Sequence, residues 1–304
     1  MWVRGATTRV VAAALLMTTA CVEAERRAND RVYPVAAALD ATRLLRPPPS
    51  GDSERARDLE AVRAAQRART SEQAAWAEAT SKVDLFVFAS ILGSHFARER
   101  VPTTAAFLRR VYRSALPSLE AAKYCWNRLR PFEVDPTLEP LALSLAGTRT
   151  RATPQAARSK ALPGLKNPVA RVSYVPSYPS GHALVGTMVA VLLAEMVPEK
   201  CAVLLALGRA YGDARVVSGV HFPSDVEGGR VLGTALVETM QRNERFRVDR
   251  RDALEELRDA LGYGSLADAP RRKTPASLRT AGRMTSSCVD AKPSTSPERR
   301  QSRA

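Results

Sequence analysis

Along most of this chain apolar and polar residues recur with a helical period rather than a strand period. From Asp52 to Ala79, Ala, Glu, Arg and Gln recur without Gly or Pro, which predicts one long helix. Val83–Leu92 is a compact apolar run and reads as a buried helix. Thr103–Ala115 and Ser118–Arg130 continue the pattern as two helices. Pro102 opens the first, with Thr103 or Thr104 available as a cap, and Pro131 closes the second. Ala183–Val197, Cys201–Arg215, Ser224–Asn243 and Arg251–Leu261 complete the set. Strand alternation is nowhere sustained and no internal repeat is visible. The pattern predicts an all-α fold, a single helical-bundle domain. Two stretches break it: Leu44–Gly51 reads LLRPPPSG and should be extended, and Phe132–Tyr178 is polar and punctuated by proline. A loop that long usually has a function.

The ends of the chain differ from its body. Arg4 and Arg9 precede the apolar run Val10–Ala20, and Val22-Glu23-Ala24 fits signal-peptidase cleavage before Glu25, so residues 1–24 read as an export leader. Thr18–Cys21 also resembles a lipoprotein box, which would make Cys21 a lipid-anchor site; simple export is the preferred reading. Residues 25–43 read as a linker, 44–262 as the helical domain and 263–304 as a disordered basic tail. No run reaches the roughly 18–20 apolar residues of a membrane span. The longest, Ala183–Val197, contains Glu195, so the body is expected to be soluble, in the periplasm or secreted.

With 45% hydrophobic and 25% charged residues in 304, the composition is that of a globular protein. The net charge of +15 favours anionic partners. Pro270–Ala304 alone holds nine basic and two acidic residues, so nearly half of that excess sits in the tail and argues little for specific nucleic-acid binding. Of four cysteines, Cys21 falls in or beside the leader, leaving Cys125, Cys201 and Cys288; a Cys125–Cys201 bridge stays open. There is no CxxC or HExxH and there are only three histidines, so no protein metal site and no cofactor are expected.

Two of those histidines have company. His182 follows Pro179-Ser180-Gly181 at a helix start, where the Ser180 and Gly181 amides and the helix dipole can face an anion. His221 precedes Phe222-Pro223-Ser224-Asp225, with Pro223 suited to a first helical turn. There Asp225 could accept a hydrogen bond from His221 Nδ1 and leave Nε2 nucleophilic, or it could simply cap the helix. Lys123 and Arg130 are seven residues apart, nearly two helical turns, and so are placed on one helix face. Arg128 shows that this stretch carries other basic residues, so a solvated basic face competes as the reading of the pair; His95 reads as structural. Arg215 adds a third cation. Three cations, a Ser-Gly pair, two histidines and an orienting carboxylate are what metal-free phosphoryl transfer needs, because that chemistry is mostly positioning and charge stabilisation.

Lys123–Pro131 (KYCWNRLRP), Pro179–His182 (PSGH) and Ala214–Asp225 (ARVVSGVHFPSD) resemble, in order, the three motif blocks of the type 2 phosphatidic acid phosphatase (PAP2) superfamily. Within it, the LLRPPPSG segment and the NERF stretch at Asn243–Phe246 are similar to the bacterial class A non-specific acid phosphatases, and the resemblance runs from Leu44 to Leu261. It implies an all-helical fold, acidic working pH, no metal and often a periplasmic homodimer. It also implies that Lys123, Arg130, Arg215, Ser180 and Gly181 bind phosphate. His221 would be the nucleophile that becomes a phosphohistidine, Asp225 would orient it, and His182 would be the general acid. Substrates would be small phosphate monoesters. Ala214 stands where the pattern has Ser, and Ala183 where class A members often have Thr. Losing one such hydroxyl would remove about 0.5–1.5 kcal/mol of hydrogen bonding, without deleting a catalytic group.

Two other readings compete. A vanadate-dependent haloperoxidase uses the same scaffold, and chain length and the class A-like flanks argue against it. A non-catalytic binder of nucleic acid or anionic surfaces would act through the basic tail, and its binding would weaken steeply with salt.

Overall fold

The computed structural model describes residues 32–35, 38–141 and 175–266. The leader with Cys21, positions 142–174 of the long loop and the tail beyond residue 266 lie outside the described residues. Ten α-helices are described: α1 (Ala41–Leu44), α2 (Asp52–Arg67), α3 (Ser71–Ala79), α4 (Ala89–Leu92), α5 (Pro102–Trp126), α6 (Pro131–Val134), α7 (Gly181–Met196), α8 (Cys201–Val217), α9 (Pro223–Gln241) and α10 (Glu244–Ala260). A 3-10 turn, Pro198–Lys200, joins α7 to α8. No strand occurs among the described residues, so the fold is all-α. None of these helices is long and apolar enough to cross a membrane.

The apolar run in α7 explains its place. A helix without a polar stripe is stable only when surrounded, and Leu184, Met188, Leu192 and Leu193 are fully buried. α8 and α9 cover α7, while α10 lies against α5. The crossing of α7 and α8 is close because glycine faces glycine. A Cβ on Gly208 would sit 2.6 Å from the Gly186 carbonyl oxygen and 2.5 Å from the Ala190 Cβ. Gly208→Ala is therefore expected to lose about 1–3 kcal/mol by overpacking, read as a lower denaturant midpoint. An unchanged midpoint would mean that the crossing is looser than described. This packing has a functional consequence: the start of α7, the end of α8 and the start of α9 gather at one end of the bundle, beside the end of α5.

Several boundaries differ from the sequence reading. The stretch read as one helix over Asp52–Ala79 is two, α2 and α3. Thr70 starts α3 with a capping box, its Oγ1 accepting from Gln73 N at 3.2 Å while Gln73 Oε1 accepts from Thr70 N at 3.1 Å. Conversely, the two helices expected over Thr103–Arg130 are one. Pro117 lies within α5 and removes a single backbone donor, while Val111, Ala115, Leu119 and Ala122 stay buried on both sides of it. That helix ends at Trp126 because Asn127 is left-handed (φ 42°, ψ 43°), which puts Arg130 beyond the helix on extended backbone. Val83–Leu92 is mostly turn, with only Ala89–Leu92 helical. Part of the 25–43 stretch packs into the body: Tyr33 and Val35 are buried, and Tyr33 N donates to Ser114 Oγ at 2.7 Å. Cys125 is exposed and free whereas Cys201 is disulfide-bonded, so no Cys125–Cys201 bridge forms.

Candidate active site

His221 lies on the turn between α8 and α9. Gly219 allows that turn with its positive φ (73°), and the Arg215 carbonyl fastens it by accepting from Val220 N at 3.1 Å and His221 N at 3.2 Å. The imidazole is buried, with Nδ1 3.3 Å from Asp225 Oδ2. Its Nε2 faces Arg130 Nη1 at 3.5 Å. Asp225 is fully buried in the first turn of α9, and its Oδ2 also accepts from Phe222 N at 2.8 Å and Ser177 Oγ at 2.5 Å. One Asp225 oxygen thus both meets His221 Nδ1 and caps the start of α9.

Lys123 and Arg130 converge on this point from different backbone contexts. Instead of sharing a helix face, Lys123 stands on the last turn of α5 and Arg130 caps α6. Both are buried. Lys123 Nζ donates to the Pro176 carbonyl at 2.6 Å; Arg130 donates through Nε to the Val175 carbonyl at 3.0 Å and through Nη1 to the Val220 carbonyl at 2.8 Å. The described end of the long loop therefore holds two of the cations. Arg215, in the last turn of α8, donates through Nη2 to the Ala77 carbonyl and to Thr80 Oγ1, both at 2.8 Å. Its Nε is buried without a partner, as is His182 Nε2. His182, in the first turn of α7, stands 5.4 Å from Tyr211 ring to ring, and the Ser81 backbone is its hydrogen-bond partner. With Nε2 unpartnered, that bond falls to Nδ1.

Ser180 and Gly181 begin α7, but their amides are not equivalent. Ser180 N donates to the Asp225 carbonyl at 2.8 Å, and Ser180 Oγ accepts from Ala183 N at 3.4 Å. The Ser180 amide is therefore taken by α9 rather than free for an anion. A Cβ at Gly181 would meet only Leu119 Cδ2, at 3.4 Å, so protein packing does not require a glycine there. Ala214, where the motif has Ser, is buried beside Arg215.

Sequence reasoning missed three participants. Ser177, Thr80 and Arg128 each touch a site residue, and the Arg128 side chain is largely buried. Its Nη1 donates to Asp225 Oδ1 at 2.7 Å and its Nη2 to Asp58 Oδ2 at 2.7 Å. Only the PSGH block beside Ser177 offered a hint.

Charge is concentrated here. Burial, then the neighbouring Arg130, lowers the Lys123 ammonium to about 7, and burial lowers Arg215 to about 10. Burial and then Arg215 push His182 down to about 3. Burial and then Arg130 also put His221 well below the usual imidazole range, against the pull of Asp225. Burial alone would raise Asp225, but His221, Arg128 and Ser177 hold it at about 2.

These shifts give a sign to acid stability. The folded state refuses protons on both imidazoles that the unfolded chain accepts below about 6.5, so their contribution is full above that pH and is lost as pH falls. The carboxylates held low, among them Glu199, Asp135 and Asp225, act only below their ordinary values of 4.5 and 3.8. Tm is therefore expected to fall between about pH 6.5 and 5, and to fall less in His182→Asn. A flat Tm over that range would mean that the imidazoles are not buried and neutral.

A sequence model of the PAP2 superfamily matches residues 105–245, from within α5 to the start of α10, a span that holds Lys123, Arg130, Ser180, Gly181, His182, Arg215, His221 and Asp225. An acid phosphatase of Zymomonas mobilis is 30% identical over 223 residues, covering 71% of this chain and 75% of that protein. A non-specific acid phosphatase of Salmonella typhimurium is 37% identical over 95 residues, 31% of this chain and 38% of that protein. A transmembrane PAP2-type phosphatidylglycerolphosphate phosphatase from Bacillus subtilis, known by crystal structure, aligns at a TM-score of 0.40 and 16% identity over 64% of this chain and 88% of that one, too remote to carry weight. On the superfamily match and the extent of the Zymomonas alignment, this chain belongs to the PAP2 superfamily.

Proposed function

We propose that this protein hydrolyses phosphate monoesters through a phosphohistidine formed on His221. Phosphatase activity as such rests on the superfamily and on relatives that are acid phosphatases. The observation that carries the mechanism is a charge imbalance around a poised imidazole. Arg130 stands 3.5 Å from His221 Nε2, buried Lys123 lies within electrostatic range of both histidines, buried Arg215 acts on His182, and Asp225, the carboxylate that faces His221, is already engaged. A phosphoryl dianion would neutralise the cations and meet the unpartnered Arg215 Nε and His182 Nε2.

In the first step His221 Nε2 attacks phosphorus in line, the P–O ester bond breaks, and His182 gives its proton to the leaving alkoxide. In the second, water attacks phosphorus, His182 takes the water proton, and the P–N bond breaks to free His221 and orthophosphate. Asp225 keeps Nδ1 protonated throughout and stabilises the cationic intermediate. His182 must be protonated for the first step, although the empty site holds it neutral. The bound phosphoryl charge opposes the nearby cations, so proton uptake accompanies binding and acidic pH favours turnover. No step requires a metal. Export is proposed on the leader pattern of residues 1–24.

Hydrolysis of p-nitrophenyl phosphate from pH 4 to 8, with excess EDTA, tests this reading. Acid-favoured, EDTA-resistant release of phosphate is expected. Purified, folded protein that releases none from an aryl, sugar or nucleoside phosphate would sink it, as would activity lost to EDTA and restored by a metal.

A further inference from the structure

One multiply bonded cation at this end of the bundle, Arg128, is not used by the mechanism above. Arg128 follows the left-handed turn at Asn127, and its guanidinium lies 3.9 Å over the Phe222 ring, the residue between His221 and Pro223. Nη1 donates to Asp225 Oδ1 at 2.7 Å and to Ser224 Oγ at 2.6 Å; Nη2 donates to Asp58 Oδ2 at 2.7 Å. Asp58, on α2, accepts in turn from Ser224 N at 3.2 Å and from Ser224 Oγ. The Arg128 carbonyl accepts from Ser177 N at 2.8 Å, and Ser177 Oγ donates to the other Asp225 oxygen. Arg128 thus reaches both oxygens of Asp225, one by its side chain and one through Ser177.

We propose that Arg128, clamped by Asp58, is a positioning residue that fixes the Asp225 carboxylate so that His221 presents Nε2 to phosphorus. This rests on the phosphatase reading and deepens it. A carboxylate with two free oxygens can rotate, whereas one anchored at Oδ1 turns Oδ2 toward a single place. Here that place is His221 Nδ1. Arg128 binds Asp225 at the oxygen that His221 does not use, so it cannot also contact the phosphoryl group through that nitrogen. Asp58 matters because it occupies the remaining fork of the guanidinium and ties α2 to the start of α9. The side chains of Arg128 and Asp58 are 11% and 8% exposed, so water screens the Asp58–Arg128–Asp225 row only weakly. Besides Arg128, Asp225 faces His221 and Ser177, with Lys123, Arg130 and Tyr178 within electrostatic range.

The test compares wild type with Arg128→Gln, Arg128→Lys, Asp58→Asn and the Arg128→Gln/Asp58→Asn double variant. Arg128→Gln should lower kcat for p-nitrophenyl phosphate about 100-fold while KM stays within about threefold, because the loss is in the transition state. With its cation gone, Asp225 protonates more readily, so the acid limb of kcat should move to higher pH by about one unit. Arg128→Lys should recover about tenfold of the loss. Asp58→Asn should lose about tenfold, and the double variant little more than Arg128→Gln alone, since both act through one carboxylate. The imidazole ¹⁵N spectrum reads the same geometry without turnover: the His221 Nδ1–H tautomer should dominate in wild type and mix with the other in Arg128→Gln. An unmixed His221 tautomer in folded Arg128→Gln overturns the proposal even if wild type proves inactive, which would be a failure of the phosphatase reading instead. So does a rise in KM with kcat kept, which would make Arg128 a substrate contact. A fall in kcat that tracks Tm, with the pH profile unmoved and no recovery by lysine, would reduce Arg128 to a structural ion pair and also overturn it.

Discussion

His221→Ala is expected to reduce hydrolysis of every phosphate monoester to background, a loss of at least about 10⁴-fold in kcat. The size follows from what remains. Lys123, Arg130 and Arg215 would still gather an anion, but positioning without a nucleophile leaves water to attack directly, and no other side chain offers phosphorus an unprotonated nitrogen held by Asp225. The fold should survive, because Asp225 keeps Arg128, Ser177 and the Phe222 amide as partners. Orthophosphate should accordingly still protect the variant against thermal unfolding. Thermal-shift titration of both proteins with orthophosphate, set beside kcat, checks this. Turnover within tenfold of wild type would remove His221 from the chemistry.

His182→Ala should have the second largest effect, and its size should depend on the leaving group. An alkoxide needs a proton as the P–O bond breaks, whereas p-nitrophenolate leaves without one. In kcat/KM, which reports the first step, the variant is expected to lose about 10²–10³-fold on alkyl phosphates and no more than about tenfold on p-nitrophenyl phosphate. The structural basis is the unpartnered Nε2 beside Arg215, with the opposite side of the ring held by the Ser81 backbone. Plotting log kcat/KM against leaving-group pKa for both proteins separates the outcomes. A steeper slope in the variant fits the acid role, and parallel lines would assign His182 to binding alone.

Much of this site was legible in the chain because its parts are local. The PSGH block places His182 on a helix start, and the spacing His221-x-x-x-Asp225 with Pro223 between puts a carboxylate one turn from an imidazole. Helical periodicity also gave the core, since α7 has no polar face to expose. What periodicity could not show was how distant segments share donors. Arg128 meets Asp58 across 70 residues and Asp225 across 97, and nothing in the KYCWNRLRP block separates that arginine from a surface one. Arg130 reaches the site because Asn127 ends α5 early, a left-handed residue that helix propensity does not announce. The Ser180 amide looked free from its place at a helix start, but a carbonyl from α9 takes it, which only the packing of α7 on α9 reveals.

The most direct measurement is rapid acid-free quenching of the enzyme with ³²P-labelled p-nitrophenyl phosphate, followed by alkaline denaturation and peptide mapping. Label that survives alkali, is released by mild acid, approaches one per chain and maps to the peptide containing His221 is the expected result. Label that is absent during rapid turnover, or that persists in His221→Ala, would contradict a phosphohistidine at His221.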